Sequence, residues 1–216
     1  IGSETIHFGA PGPGRVSHEM AAFLAWWNGA QVKDSALKAG LAHLWFGTIH
    51  PFDDGNGRIG RPLVDMALAA GDDAVLRYYS VSAQIFADRA GYYRALEEAQ
   101  RGDLDVTPWL EWFLGCVLSA VRASESSMEA ALLRASLRAR LSSLELGPRQ
   151  VKALCKLIEH EPSGLEGGLT NAKYRSMTGT SKATATRDLL DLARRGLLVE
   201  GDSGGRSTRY FLALEP

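Results

Sequence analysis

Apolar residues recur every three to four positions along most of the chain, which is the spacing of amphipathic helices. Clusters of Gly, Pro, Ser and Asp between these runs predict turns, and short apolar runs near the end of the chain predict strands. The predicted helices are 16–28, 34 or 35 to the segment at His50, 63–70, 82–99, 108–146 as one helix or two, 149–161, 170–177 and 180–196; the predicted strands are 197–200 and 206–214. Predicted N-caps are Ser17, Asp34 or Ser35, Thr170, and Thr180 or Ser181. The fold class is therefore mainly α.

One polar segment interrupts the strongest apolar stretch of the sequence. Residues 45–66 read W-F-G-T-I-H-P-F-D-D-G-N-G-R-I-G-R-P-L-V-D-M. The apolar residues on both sides predict helices, so the polar residues between them are predicted to form a tight loop between two elements. The helix at 63–70 is apolar almost all round and is expected to be buried. His43, seven residues before His50, is predicted to be a packed core histidine without a role.

The backbone of this loop suits an anion. Gly55, Asn56 and Gly57 can adopt backbone angles closed to most residues, so consecutive N–H groups can turn towards one ligand. The next helix is predicted to begin here, with Pro62 in or near its first turn. The positive end of that helix dipole would then also face the loop.

The side chains of the loop extend the same chemistry. Arg58 and Arg61 lie three positions apart, share a helix face and can both reach phosphate oxygens. Asp54 offers the hard oxygen ligand that Mg²⁺ takes, usually together with substrate phosphates. His50 is the side chain of the loop that can accept a proton near neutral pH. Together they predict phosphate-transfer chemistry.

Composition sets the remaining bounds. The 216 residues are 45% hydrophobic and 23% charged, with a net charge of −1, which excludes a chain that binds nucleic acid by its overall charge. No apolar run approaches the length of a membrane span and no signal-peptide pattern is present, so we expect a cytoplasmic protein. Cys116 and Cys155 lie in apolar runs and are expected to be core residues in a reducing compartment.

The C-terminal part differs from the rest in charge and pattern. Residues 147–216 hold 11 Lys and Arg against 8 Asp and Glu, whereas the preceding residues carry a net negative charge. Gly147 and Pro148 break the helical pattern before this part. Three helices and a basic hairpin are predicted after them.

The loop H-P-F-D-D-G-N-G-R-I-G-R resembles the signature of the Fic domain at every position that the signature specifies. The resemblance covers about residues 1–125 and implies a Fic-type helical bundle with a short β-hairpin flap at about 1–15. It further implies a protein adenylyltransferase, which transfers AMP from ATP to a Ser, Thr or Tyr hydroxyl of a target protein, itself included. In this family the loop is residues 50–61, and Phe52 would anchor it in the core.

The resemblance assigns roles residue by residue. His50 would be the general base, Asp54 would hold Mg²⁺, and the loop would bind the phosphates of ATP. The segment Y-Y-R-A-L-E-E-A-Q-R-G-D is similar to the family's adenosine-binding segment, with Gln100 where asparagine is common. The nucleotide-binding residues implied are Asp54, Gly55, Asn56, Gly57, Arg58, Gly60, Arg61, Phe8, Gly9 and Ala10 of the flap, Tyr92, Tyr93 and Gln100.

Three alternatives stay open at this point. The same site also serves removal of AMP, or transfer of another nucleotide or of phosphocholine, in proteins with this motif. A kinase of the related Doc type carries a lysine in the anion loop, where this chain has Gly55 and Gly57. A transcription regulator with a vestigial Fic domain ranks last, because every reactive position is occupied.

Residues 147–216 resemble a winged helix-turn-helix domain, and residues 126–146 are expected to connect the two parts. Such domains bind DNA, dock proteins or dimerise, so DNA and a homodimer are the expected partners. Between 170 and 211 there are 8 basic and 4 acidic residues. The contact residues expected are Lys182, Thr184, Arg187 and Arg206.

Regulation in this family often depends on an inhibitory helix whose glutamate pairs with the second arginine of the motif, here Arg61. A glutamate four residues after a Ser or Thr occurs at Thr107 and Glu111, but Trp112 follows where the inhibitory motif has Gly or Asn. The expectation is therefore that such a helix lies before Ile1 or in a partner chain. Residues 1–216 are then expected to be active without restraint and to modify themselves.

Overall fold

A computed structural model of the chain describes residues 9–29, 32–71, 78–201 and 208–213. Within these residues the fold is mainly α, as predicted. The helices are α1 Pro13–Trp27, α2 Ser35–Ile49, α3 Asn56–Ala69, α4 Val81–Ala87, α5 Arg89–Arg101, α6 Thr107–Ser142, α7 Pro148–Glu159, α8 Asn171–Thr178 and α9 Lys182–Arg194, and the strands are β1 Leu198–Glu200 and β2 Tyr210–Leu212. The chain divides into two compact units, Ile1–Glu125 and Ser126–Pro216.

The core of the first unit is built around α2 and the first part of α6. Trp109 and Phe113 of α6 are buried, and the Trp109 indole donates a hydrogen bond of 2.9 Å to the carbonyl of Gly40 on α2. A Cβ at Gly40 would lie 2.9 Å from the Phe113 ring, so only glycine permits this approach. Val64 and Leu68 of α3 are buried in the same core.

Several predicted helix boundaries in the first unit were wrong. Helix α1 begins at Pro13 rather than Val16, with Gly12 as N-cap, so residues 13–15 are helical and Ser17 is not the cap. Proline suits the first helical turn because it lacks the N–H that would have no partner there. The rest of the predicted flap, residues 1–8, lies outside the described residues.

The predicted helix 82–99 is two helices, α4 and α5, because the backbone turns at Asp88. Its φ and ψ are −120° and 60°, and its carboxylate accepts a hydrogen bond from Gly91 N and caps α5. Helix α3 begins at Asn56, so Pro62 lies beyond the first turn. Residues 63–70 are not buried all round either, since Met66 is exposed.

The second unit packs the end of α6 with α7, α8 and α9. Leu137 and Leu141 of α6 belong to its core, and α6 is a single helix where one or two were predicted. Thr170 and Ser181 cap α8 and α9, as predicted. Strands β1 and β2 are antiparallel, and Leu169 adds an isolated bridge to Tyr210 that the sequence did not indicate.

The second predicted strand was too long. Residues 208, 209 and 213 lie outside β2, and residues 202–207 and 214–216 lie outside the described residues. Cys116 is buried and Cys155 half-buried, and neither forms a disulfide. Among the described residues no helix is long and apolar enough to cross a membrane.

Candidate active site

The C-terminus of α2 places His50 at the surface. His50 closes the helix with its N–H bonded to the carbonyl of Phe46 at 3.0 Å. Its φ of 49° and ψ of 57° are left-handed, which is uncommon for a residue with a side chain. The helix therefore stops abruptly here, and the exposed imidazole lies at the junction of helix and loop.

The loop that follows is closed by the side chain of Asn56. This amide is 6% exposed and bonds twice to the backbone of Phe52: Oδ1 accepts from Phe52 N at 3.1 Å, and Nδ2 donates to Phe52 O at 2.5 Å. Phe52 itself is 47% exposed, with its ring centroid 6.4 Å from that of Phe46. The expectation that Phe52 anchors the loop in the core was therefore wrong, because the Asn56 amide holds the loop instead.

The N-terminus of α3 lies directly against this loop. Gly55 is the N-cap with a φ of 92°, a value that L side chains rarely adopt, and its carbonyl accepts the first helical bond from Ile59 N at 3.0 Å. The N–H groups of residues 56–58 come before that bond, so they have no acceptor within the helix. These groups and the helix dipole favour an anion at this end of α3.

Two arginines and one carboxylate border the same space. Arg58 Nη2 lies 2.7 Å from Asp54 Oδ2, and both side chains are largely exposed. The other Asp54 oxygen accepts from Gly55 N at 2.6 Å. Arg61 is half-buried, and no carboxylate of the described residues forms an ion pair with it. Exposed ion pairs are weak, so the Arg58 guanidinium can exchange Asp54 for a phosphate at little cost.

Three cavities adjoin one another at Arg61. A groove of about 280 Å³ is lined by His50, Asp53, Asp54, Gly55, Asn56, Gly57, Arg58 and Arg61. A cleft of about 180 Å³ shares four of these residues and continues along α2 and α5 to Gly47, Leu96, Tyr92 and Tyr93. A third space of about 380 Å³ lies between α4 and α5 and is lined by Arg61, Arg89, Phe86 and both tyrosines, among others. The predicted phosphate-binding residues of the loop and the two predicted adenosine-binding tyrosines thus line adjoining cavities.

Tyr92 and Tyr93 occupy different environments. Tyr93 is exposed and lies beside Arg89, whose guanidinium carbon is 6.0 Å from its ring centroid. Tyr92 is half-buried, and burial together with the neighbouring Tyr93 raises the pKa of its hydroxyl to about 12, against the opposing effect of Arg61. Tyr92 is therefore a neutral hydrogen-bonding group at physiological pH.

Gln100 and the flap residues are not in these cavities. Gln100 Nε2 donates to Thr48 Oγ1 at 3.4 Å, and both residues line a different, larger apolar cavity of about 760 Å³. It follows Leu96 by one helical turn on α5, so it lies beyond the Leu96 end of the cleft. Gly9 and Ala10 are exposed, and Phe8 lies outside the described residues.

The predicted contact residues of the second unit lie on α9. Lys182 and Arg187 are exposed, and Thr184 is half-buried with its hydroxyl 3.0 Å from that of the N-cap Ser181. Asn171 of α8 donates to the Thr186 hydroxyl at 2.9 Å. Arg206 lies outside the described residues.

Sequence reasoning missed two features of the site. The side chain of Asn56 was expected to contribute only its N–H, although an amide within a glycine loop is a usual signal for such a bond. His43 was correctly predicted as a buried residue, but its two hydrogen bonds join helices far apart in the sequence. No sequence pattern shows those partners.

An exposed histidine beside an anion-binding helix N-terminus, with two arginines and a carboxylate, defines a candidate phosphate-transfer site. The model of the Fic/DOC family matches residues 2–68 and so includes the whole loop. The chain is 32% identical over 108 residues to a probable protein adenylyltransferase of Aquifex aeolicus, covering 48% of this chain and 31% of that protein. It is 34% identical over 109 residues to the protein adenylyltransferases Fic of Culex quinquefasciatus and Aedes aegypti, covering 49% of this chain and 20% of each.

These matches support the Fic family for the part of the chain that holds the loop. The chain spans about a fifth to a third of the length of these curated relatives.

Proposed function

We propose that the first unit is a protein adenylyltransferase, which transfers AMP from ATP to a hydroxyl side chain of a target protein. The observation that carries this proposal is that His50 and the N-terminus of α3 line one groove together with Arg58 and Arg61. A base and an anion cradle in one groove are what attack on a phosphate requires. The relatives named protein adenylyltransferase support the choice of AMP as the transferred group.

The reaction uses His50 as the general base. The hydroxyl oxygen of the target forms a bond to the α-phosphorus of ATP, the bond from that phosphorus to the bridging oxygen breaks, and pyrophosphate leaves. The hydroxyl proton goes to the His50 imidazole. Because His50 is exposed at the end of α2, a side chain of another protein can reach it.

The phosphates are held by α3. The N–H groups of Asn56 and Gly57 face the anion and stabilise the charge that develops in the transition state. Arg58 and Arg61 bind the β- and γ-phosphates, so the leaving pyrophosphate keeps its partners. Because Gly60 has no side chain, this part of α3 lies close to His43 and Phe46 of α2.

Asp54 can bind Mg²⁺ only if phosphates and waters supply the remaining ligands of the ion. Among the described residues there is no cluster of three or more His, Cys, Asp or Glu that would hold a metal alone. One exposed carboxylate beside a phosphate cradle is the donor set that Mg²⁺ accepts, because phosphates and waters supply the other ligands. Asp54 would hold the ion, which neutralises phosphate charge when bound.

The adenosine lies along the cleft between α2 and α5. Tyr92 and Tyr93 border this cleft, and the aromatic rings can pack against a base. Gln100, one turn beyond Leu96, meets the far end of the nucleotide if its bond to Thr48 opens. Phe8, Gly9 and Ala10 would cover the nucleotide from the flap.

Labelled nucleotides distinguish this activity from its alternatives. Incubation with ATP labelled at the α-phosphate should label the chain itself, and ATP labelled at the γ-phosphate should not. Label from the γ-position would indicate a kinase of the Doc type. Mass spectrometry after incubation with ATP, GTP and UTP identifies the transferred group, and loss of AMP from modified protein would indicate the reverse reaction.

We propose that the second unit is a winged-helix domain that binds DNA through α9. The specific observation is the division of α9 into two faces: Leu189 and Leu192 are buried, while Lys182, Thr186 and Arg187 are exposed near its N-terminal half. Exposed basic and hydroxyl side chains at the start of a helix suit phosphates and base edges. Dimerisation through this unit is the alternative. The unpaired cysteines suit a reducing, cytoplasmic setting.

A further inference from the structure

A buried histidine outside the reaction connects three helices of the site. His43 of α2 is 4% exposed. Its Nδ1 lies 3.3 Å from the carbonyl oxygen of Gly60 on α3, and its Nε2 lies 3.1 Å from the hydroxyl of Tyr92 on α5. Its ring stacks on Trp109 with 6.0 Å between centroids and 9° between planes. Every polar atom of this imidazole therefore has a partner.

The partners fix the tautomer. A carbonyl oxygen only accepts, so Nδ1 must carry the proton and donate it to Gly60. Nε2 is then the acceptor, and the Tyr92 hydroxyl donates to it. Burial lowers the pKa of His43, the bond to Gly60 opposes this, and Arg61 lowers the pKa further. The imidazole is thus neutral and has one orientation.

This orientation determines how closely α2 approaches α3. A Cβ at Gly60 would lie 3.3 Å from His43 Nδ1, so the two helices are in close contact here and a side chain at residue 60 would push against the His43 ring. His43 lies on α2 and His50 is its C-cap, and both residues line the same cleft. Gly60 lies on the first turns of the helix whose N-terminus forms the anion cradle. The contact at His43 therefore joins the helix that ends in His50 to the helix that carries the cradle.

We propose that His43 is a positioning residue: its bond to Gly60 sets the place of His50 relative to the anion loop. This inference rests on the proposed AMP transfer. A displacement of about 1 Å between base and substrate costs up to about a hundredfold in rate. Loss of the bond should therefore slow the chemical step and leave nucleotide binding nearly unchanged.

Two substitutions separate this role from simple packing. In the His43→Asn variant the amide nitrogen lies close to the position of Nδ1. It can therefore still donate to the carbonyl of Gly60 but cannot reach the Tyr92 hydroxyl. The amide of His43→Gln extends to the place of Nε2, so it reaches Tyr92 and loses Gly60. Both variants lose the ring and its stacking on Trp109, which makes them a matched pair.

The first measurement is the rate of AMP incorporation, with folded protein quantified in each sample. At saturating ATP we expect His43→Gln to be slowed by about ten- to a hundredfold and His43→Asn by about threefold or less. The ATP concentration that gives half the maximal rate should change by less than about threefold in both. Equal losses in the two variants, or a change confined to ATP affinity, would overturn the positioning role.

Nitrogen-15 NMR provides a second measurement that does not depend on activity. The parent chain should show a protonated Nδ1 and an unprotonated Nε2 for His43. The amide resonances of Gly55 and Gly57 should shift in His43→Gln and stay in place in His43→Asn. A protonated Nε2, or unmoved amides in His43→Gln, would contradict the inference. If the parent chain incorporated no AMP, the proposed function would be wrong. The resonances of the Gly55 and Gly57 amides in the two variants would still test whether His43 positions the loop.

Discussion

Asn56 and Phe52 hold the candidate catalytic loop closed through two hydrogen bonds between one side-chain amide and one backbone unit. The amide is buried, whereas the Phe52 ring is half exposed. The geometry of the loop therefore depends on a polar side chain rather than on an apolar anchor. Because Asn56 is also the first residue of α3, the same residue fixes the loop and starts the helix that faces the phosphates.

Replacing Asn56 by Ala should disorder the loop without unfolding the unit. Removing both bonds to Phe52 should cost about 1–3 kcal/mol, measured as the free energy of unfolding in urea. ATP affinity should also fall, since residues 55–57 lose their fixed geometry. Asn28→Ala, at the exposed C-terminal end of α1, is the control and should leave ATP affinity unchanged. An Asn56→Ala variant that binds ATP like the parent would show that the loop does not need this amide.

Replacing Asp54 by Asn should weaken binding of ATP in the presence of Mg²⁺ and leave binding of ATP without Mg²⁺ similar or stronger. The amide removes the charge that would hold the ion and frees Arg58 from its ion pair. Stability should hardly change, because exposed ion pairs contribute about 1 kcal/mol or less. Asp53→Asn, an exposed neighbour lining the same groove, is the matched control for calorimetry. An identical loss in both variants would remove the special role of Asp54.

The stability of the first unit should depend on pH through His43. Burial holds the pKa of His43 below its ordinary value of 6.5. The unfolded chain therefore binds this proton more readily than the folded chain does. The free energy of unfolding is therefore highest above pH 6.5, where His43 is neutral in both states. It decreases as the pH falls from 6.5 towards the lower pKa that His43 has in the folded chain. The groups around the ring agree with a neutral histidine, since Arg61 of α3 is positive and Tyr92 of α5 is neutral.

Urea unfolding at several pH values, from about pH 7.5 to about pH 5.5, measures this effect. The parent chain should lose more stability over that range than His43→Asn, whose side chain does not titrate. The other histidines are present in both proteins and cancel in the comparison. If the free energy of unfolding changed equally with pH in the parent and the variant, the buried, neutral state of His43 would be contradicted.

The sequence was sufficient to predict a loop after α2 with a helix behind it, but α3 begins at Asn56, inside the segment predicted as loop. Apolar runs on both sides of residues 50–61 are long, and Asp34 caps α2 as expected. Helix ends were less predictable where several residues can serve as the N-cap. Helix α1 therefore begins at Pro13 instead of the predicted Val16. The break at Asp88 was missed because the apolar pattern continues across it, while the Asp88 side chain accepts from Gly91 N and caps a new helix.

The features of the site that could not be predicted from the sequence are contacts between helices that lie far apart along the chain. Nothing local distinguishes His43 from an ordinary core residue, since Gly60 and Tyr92 lie 17 and 49 positions away. The exposure of Phe52 likewise depends on how α2 and α3 meet. The bond of Gln100 to Thr48, which takes it out of the cleft, joins residues 52 positions apart.

The basic face of α9 should bind DNA in a way that depends on salt. Neutralising phosphates with Lys182 and Arg187 releases counterions, so affinity should fall steeply between low and physiological salt. Changing both residues to Ala should reduce the slope of log affinity against log salt by about 2. Changing Lys152 and Lys156, exposed on α7, should leave the slope unchanged. No shift of DNA at low salt, together with self-association in sedimentation, would favour a docking or dimer role.

The most direct test of the account is AMP incorporation by the His50→Ala variant. ATP labelled at the α-phosphate should label the parent chain, and the variant should be slower by about two to four orders of magnitude, the usual range for a missing general base. ATP binding by calorimetry should persist, because the cradle at α3 is intact. His18→Ala, which removes an exposed histidine from α1, should behave like the parent chain. A His50→Ala variant that incorporates AMP at nearly the parent rate would contradict the proposed mechanism.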